Sequence, residues 1–462
     1  MSRPQPLAGS FRDPSGVVFR RDGILYRQVN AVHAPHYDRL GESGLYDALV
    51  KARLLVPHEE VGLSLALTSD AYKVIRPEPI GFVSYPYEWA FSQLKEAALA
   101  TLKVQRLALD HGMSLRDASA YNVQFRGPDP VLIDTLSFEV LRAGEPWVAY
   151  RQFCQHLLAP LALMGYGDLR LGRLAALHID GIPLDLAARL LPARARLRVG
   201  MLVHIFLHAR SQRRHQDDDA AIRPGAGRFT RRAFEGLIGS LEKAVTGMRL
   251  GRAARHWVEY YARASHYSTR AMESKKALVE RYIEELAPAS VWDLGSNTGL
   301  FGRLAADRGI PAVCLEMDAA CVEESYRRAR AGREEHLLPL VVDLVNPSPA
   351  LGWANEERMT IAERGPADLV LALALVHHLA IGNNVPLARV AGFLARLGPR
   401  LLIEFVPKED EMVRRLLHNR EDVFPDYTQD GFERAFKSSF DIAAVEPIED
   451  SGRVLYLLTT RR

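Results

Sequence analysis

Cysteine is scarce. The chain carries three in 462 residues, Cys154, Cys314 and Cys321, and no Cys-x-x-Cys pair. That excludes a disulfide framework and a zinc-finger module, and it suits a reducing compartment. Long apolar runs are also missing. The strongest, Leu369 to Val376, falls far short of the roughly 20 residues that cross a bilayer as a helix. The opening MSRPQPLAGSFRDPSG has no apolar core and is not expected to be a signal peptide. No internal repeat is evident, and no sign of charge dominates: a net charge of +3 is too balanced to imply a nucleic-acid or membrane partner. The expectation is a cytoplasmic protein without a membrane span.

What is present is ordinary globular composition, 48% hydrophobic and 25% charged, in a chain too long for one core. Pattern divides it into three regions: an N-terminal α+β module over 1–182, a helical basic connector over 183–250, and an α/β domain over 251–462. In the first, GVVFRRDGILYRQV (Gly16 to Val29) reads as a hairpin turning at Asp22-Gly23, and Tyr87 to His111 as a long helix. The connector is basic, with 15 Arg or Lys against 5 Asp or Glu between Ala187 and Arg255; a solvated basic face is the favoured reading. Its polar stretch from Ser211 to Arg228 reads as a loop. His204 and His208 stand at i, i+4 spacing without an acidic third ligand, so packing or capping is favoured over metal.

The last region alternates strand and helix. VWDL (Val291 to Leu294), AVCLEM (Ala312 to Met317), LLPLVVDL (Leu337 to Leu344), DLVLALALV (Asp368 to Val376) and RLLIEFV (Arg400 to Val406) predict a mostly parallel, doubly wound sheet. FDIAAVEPI and GRVLYLLTT, separated only by Glu449 to Ser451, must pair antiparallel. Five parallel strands and a terminal antiparallel hairpin match the seven-stranded, Rossmann-like sheet of class I methyltransferases.

The stretch VWDLGSNTGLFGRLAADRG (Val291 to Gly309) carries the chemistry. A strand ends in Asp293, a loop holds Gly295, Ser296, Asn297 and Gly299, and a helix follows whose free N–H groups suit a carboxylate. The order acid-x-Gly-x-Asn-x-Gly departs from the dinucleotide pattern GxGxxG and resembles the first motif of S-adenosylmethionine-dependent methyltransferases. That resemblance implies a ribose-binding acid at the end of the second strand, for which register favours Glu316, beside Met317, over Asp318. It implies an adenine contact from Asp343 and Leu344 at the end of the third. An acid at one strand end is often only a helix cap; three in succession on one edge point to a ligand.

The fourth strand leads through Leu375 into His377 and His378, in a hydrophobic-His-His-Leu stretch like those lining the methyl-transfer pocket of many small-molecule methyltransferases. A structural histidine is the alternative for each. Consecutive strand-end residues would point to opposite sides, with His377 toward the pocket. Glu404 ends the fifth strand nearby. These three are the candidate bases for an acceptor that must lose a proton. Trp257 to Ile283 resembles the helix covering the cofactor, with Tyr261, Tyr267 and Lys275 as lid residues, although an aromatic stripe is more often core. N-P-P-Y, the signature of amino-group methylation on nucleic acid, is absent after the fourth strand.

In the N-terminal module Leu115-Arg116-Asp117, Asn122 and Ile133-Asp134-Thr135 have the spacing of a kinase catalytic loop and metal-binding Asp. The resemblance implies a kinase-like domain with Asp117 as base and Asn122 and Asp134 holding Mg-ATP. The departures are a missing GxGxxG loop, Leu115 in place of histidine, Thr135-Leu136 in place of Phe-Gly, and no clear phosphate-pairing lysine beyond Arg27 or Lys73. The whole chain resembles a bacterial two-part family of S-adenosylmethionine-dependent methyltransferases. Methyl transfer to a small molecule, glycan or natural-product intermediate is the leading expectation, ahead of a bifunctional kinase–methyltransferase and of an RNA methyltransferase using the basic segment. The acceptor, the methylated atom and the oligomeric state are not legible.

Overall fold

The computed structural model describes residues 4–211, 229–250, 268–418 and 421–461. These form two compact units. The first comprises Met1–Arg255 together with Ala350–Arg358; the second comprises His256–Pro349 and Met359–Arg462.

The first unit begins with a five-stranded antiparallel sheet built from β1 (Gln5–Pro6), β2 (Gly16–Arg21), β3 (Ile24–Asn30), β4 (His58–Val61) and β5 (Ala71–Pro77), in the order β1-β2-β3-β5-β4. Asp22 and Gly23 both take positive φ, 50° and 80°, the geometry that closes a two-residue hairpin with the right twist. Two short helices, Ala34–Glu42 and Leu45–Lys51, fill the crossing from β3 to β4. The expected long helix runs from Phe91 to Asp110, burying Leu94, Ala98, Leu102 and Leu109 on one side. Beyond it, β6 (Met113–Leu115) pairs with β9 (Phe138–Val140), and β7 (Val123–Arg126) with β8 (Asp129–Leu132). Among the described residues helices follow, the last of them Arg231–Thr246. The described residues of 183–250 pack into this unit, where Lys95 donates to the carbonyls of Thr246 and Met248 at 2.9 Å and Arg106 pairs with Glu242. The loop expected at Ser211 to Arg228 lies, after Ser211, outside the described residues.

The second unit holds a seven-stranded sheet of β10 (Val291–Leu294), β11 (Ala312–Glu316), β12 (Leu337–Val341), β13 (Leu369–Ala372), β14 (Arg400–Phe405), β15 (Phe440–Pro447) and β16 (Val454–Thr460). Its order is β12-β11-β10-β13-β14-β16-β15. The first five are parallel, and β16 runs antiparallel to both β14 and β15. The central strands are apolar throughout because helices cover both faces; β10 is buried along its whole length. The edge strand β15 instead alternates from buried to exposed, as a strand with one solvated face does. Helix Thr269–Leu286, capped by Ser268, lays Ala271, Val279 and Ile283 on a core of Val291, Ala312, Leu369 and Leu402.

One element is shorter than expected. β13 stops at Ala372, and the chain turns through Ala374 at φ 51° into a helical turn beginning at Val376. The two histidines therefore stand on a helix start and not on a strand end.

Candidate functional site

The loop after β10 is held open by its own backbone. Gly295, Asn297 and Gly299 take φ values of 70°, 50° and 79°. The N–H groups of Gly295 and Ser296 both reach the Leu315 carbonyl on β11, at 2.8 and 3.2 Å. A Cβ at Gly295 would lie 3.1 Å from Leu375 Cδ1, so the missing side chain leaves a narrow cradle between this loop and the one after β13. Asp293 works from beneath: 2% exposed, it accepts the Gly302 N–H at 3.0 Å and ties the helix Leu300–Ala306 to the strand. Burial pushes its carboxyl up to about 7, against the Gly302 hydrogen bond and the Lys275 charge, which lower it.

The strand-end acids of the next two strands separate cleanly by role. Asp318 caps the helix Ala319–Gly332 through the Ala320 N–H. Glu316 faces the loop, with one carboxylate oxygen accepting Asn297 N–H and the other Asp318 N–H, both at 2.9 Å. With about four acceptor sites, the carboxylate keeps room for a further donor. Met317 beside it is 67% exposed, an apolar side chain left at the rim. Past β12, Asp343 accepts the Val345 N–H at 2.9 Å and Leu344 is half-buried.

His377 is 1% exposed, and neither ring nitrogen has a hydrogen-bond partner. Burial lowers its pKa to about 3, with His378 and Arg453 adding to the shift, so the ring is neutral. His378 is exposed, its ring centroid 4.2 Å from that of His377. The expectation that the pair points to opposite faces of a strand fails: successive residues on a helix diverge by about 100°, and burial is what distinguishes these two.

Glu404 is fully buried, with one oxygen 2.6 Å from Lys275 Nζ and the other 3.1 Å from Arg453. Arg453 also grips Asp410 with two hydrogen bonds, of 2.7 and 3.1 Å. A carboxylate clamped between two cations is a poor proton acceptor, so Glu404 sits here as a counter-ion. Lys275, expected in a lid, is 2% exposed and lies under Phe301, 4.7 Å from its ring centroid; burial lowers its pKa and Glu404 opposes that. Tyr261 and Tyr267 lie outside the described residues. Sequence reasoning missed Arg453, Asp410 and Arg303. Arg303 is 3% exposed and joins the Thr298 carbonyl, the Ser325 carbonyl and Glu334, fixing the loop from behind. Only its place in the helix after the glycine loop could have signalled it.

In the first unit Asp117, Asn122 and Asp134 do come together. The Ile133 N–H bonds the Asn122 carbonyl at 2.8 Å. Burial raises the Asp117 pKa and the Asp134 charge raises it further, while hydrogen bonds from Ser119 N–H, Asn122 and Gln152 oppose this. Asp134 is paired with Arg27 on β3 at 2.8 Å, and the same oxygen accepts the Leu136 N–H. Lys73 is engaged by Glu60. His204 is buried between Tyr150 Oη and Ser240 Oγ, each at 2.8 Å, which fits the packing expectation.

Residues 350–358, which in the chain fall between β12 and β13, fold against this same region. Glu357 takes two hydrogen bonds from Arg12, at 2.9 and 2.6 Å. The Arg358 guanidinium stacks 4.1 Å from the Tyr121 ring centroid, and Leu351 packs with Tyr85 and Tyr87.

The second unit is thus a seven-stranded mixed α/β sheet with a glycine-bearing loop and acids along one edge. The chain is 34% identical over 458 residues to nodulation protein NoeA of Rhizobium meliloti (strain 1021), covering 98% of this chain and 96% of that protein. It belongs to the NoeA family. No family model matches it. Solved structures similar to part of it include the bifunctional kinase-methyltransferase WbdD, at 15% identity over 44% of this chain and 41% of that one (TM-score 0.31). Others are magnesium protoporphyrin IX methyltransferase ChlM of Synechocystis PCC 6803 with bound SAM, at 14% over 46% and 92% (TM-score 0.31), and the N-methyltransferase NodS of Bradyrhizobium japonicum WM9, at 10% over 42% and 99% (TM-score 0.31). The chain thus spans less than half of WbdD. None of these TM-scores reaches one half, and the fold rests on the strand order itself.

Proposed function

We propose that the second unit binds S-adenosylmethionine and transfers its methyl group to a small molecule, glycan or natural-product intermediate. The observation that carries this is the edge formed by the Gly295–Gly299 loop, Glu316 and Asp343, where backbone conformation, a cradle closed by Leu375 and two strand-end carboxylates stand side by side. These residues fit the cofactor: Glu316 would hold the ribose hydroxyls, Met317 and Leu344 the adenine faces, Asp343 its amino group, and the loop N–H groups the carboxylate. The bound sulfonium would supply an activated methyl and a neutral leaving group. The chain itself then orients the acceptor, excludes water and, for a hydroxyl acceptor, takes a proton on His378, or on His377 once the bound ligands give its ring the hydrogen-bond partner that would raise it from about 3. Calorimetry tests the reading. The wild type should bind S-adenosylmethionine, Gly295→Val should abolish binding, and Glu316→Ala should weaken it by about 1–3 kcal/mol. Wild-type affinity in both variants would end it.

A second reading concerns the first unit. The convergence of Asp117, Asn122 and Asp134, with a strand-borne cation on β3, favours a kinase-like arrangement. Mg-ATP does not fit it as it stands. Arg27 neutralises the carboxylate that would take the metal, and the β2–β3 turn is too tight to cover phosphates. The module therefore reads as a binding platform without phosphoryl transfer. Mg-ATP should produce no thermal shift in the wild type; a shift lost in Asp134→Asn would favour the kinase instead.

A further inference from the structure

The helical stretch 199–211 of the first unit is apolar on both of its faces. Inward it buries Met201, Ile205 and Ala209, each at 1% exposure or less. Outward it shows Val199 (74% exposed), Leu202, Val203 and Leu207, at the i, i+3, i+4, i+8 spacing of an amphipathic stripe. A helix on a protein surface normally turns polar side chains to water at such positions. Leu197, at 84% exposure, and Leu190 extend the apolar area toward the N-terminal side.

The flanking charge is mainly of one sign. Between residues 186 and 210 there are five arginines, Arg189, Arg194, Arg196, Arg198 and Arg210, and no Asp or Glu. All five are exposed; Arg189 is paired with Asp185 at 3.3 Å, and the excess of positive charge lies with the other four. Arg196 lies over Phe206 of this stretch, 5.0 Å from its ring centroid, and Arg194 donates to the Tyr166 carbonyl at 2.6 Å. No helix among the described residues is long and apolar enough to cross a membrane.

We propose that this face docks the protein on an anionic lipid surface, lying in the interface without spanning it. The apolar stripe enters the boundary between headgroups and acyl chains, and the arginines meet lipid phosphates, the combination that holds interfacial helices. Charge decides between this occupant and a second copy of the chain: two such faces brought together would set arginines against arginines.

The test uses the full-length protein and vesicles of phosphatidylcholine, with and without phosphatidylglycerol. The wild type should co-sediment with the anionic vesicles, weakly with the neutral ones, and less as salt is raised. The combined V199Q, V203Q and L207Q variant should lower the bound fraction at least about tenfold with an unchanged melting temperature, since the replaced side chains are exposed. The combined R196Q, R198Q and R210Q variant should lose the preference for anionic vesicles. Three results would overturn the proposal. One is equal binding of the wild type to both vesicle types, or to neither. Another is a wild-type dimer, indifferent to vesicles, that the apolar substitutions convert to monomer. The third is vesicle binding that appears only when Asp217, Asp218 and Asp219 are replaced by Asn, which would make the chain's own acidic run the occupant.

Discussion

At the scale of single residues, His377 is the sharpest anomaly in the second unit. A buried imidazole with both nitrogens bare costs about 1–3 kcal/mol of desolvation that no partner returns. Such a residue is retained for what it does with a ligand or proton, or it is a defect. An apolar replacement of similar shape separates the two. His377→Phe should leave the melting temperature unchanged or raise it, while methyl incorporation from labelled S-adenosylmethionine into a metabolite pool falls by about 10²–10⁴-fold. Unchanged incorporation would make the histidine structural. His378→Phe, exposed, should do little to stability. The sequence placed these histidines after the fourth strand but could not say which was buried, because that depended on where the strand stopped. Glu404 shows the same limit. Its strand position was readable, whereas the two cations that occupy it, Lys275 and Arg453, come from sequence positions more than a hundred residues before it and about fifty after.

At the scale of elements, the parallel strands were legible because a strand buried on both faces must be an apolar run, and the hairpin Gly16 to Val29 because Asp-Gly dictates its turn. The motif loop was legible for the same local reason. The excursion at 350–358 was not. Nothing in GPADLV or NPSPALGW says that the intervening residues join another unit's fold, since the decision is made by Arg12 and Tyr121, hundreds of residues away. Glu357 anchors it: besides Arg12 it accepts the Trp353 N–H at 2.7 Å, and its hydrogen bonds to Arg12 hold its pKa below the usual carboxylate range. Glu357→Gln keeps the shape and removes the charge. It should destabilise the first unit by about 1–2 kcal/mol, as for a charge-assisted hydrogen bond lost at a half-open site. Protease cleavage within 350–358 should quicken in parallel. Equal cleavage rates in variant and wild type would mean that the segment is held by Leu351 and Arg358 alone.

At the scale of the whole molecule, buried histidines set the response to acid. Burial is the largest cause in each case: it pulls His33, His58, His156 and His204 to about 4 and His377 to about 3. Between an unfolded value of about 6.5 and those folded values, the unfolded chain binds protons that the folded chain refuses. Stability therefore falls as the pH falls through that window, by up to about 1.4 kcal/mol per pH unit for each fully responding ring. Asp293, pushed up to about 7 by burial, acts in the opposite sense. Folded, it keeps a proton that the unfolded chain has released above the ordinary carboxylate range, so its contribution falls as the pH rises toward 7. Asp117 and Glu316, raised mainly by burial, share that sign. His36, His208 and His378, also lowered by burial, and the carboxyls held low by their partners, Glu357 among them, share the sign of the five imidazoles, so the balance is a net loss on acidification. The urea midpoint should drop steadily from pH 6.5 to pH 4.5, with a shallower drop in His204→Phe, which removes one refused proton. A midpoint that holds level or rises over that range would show that the raised carboxyls outweigh the histidines.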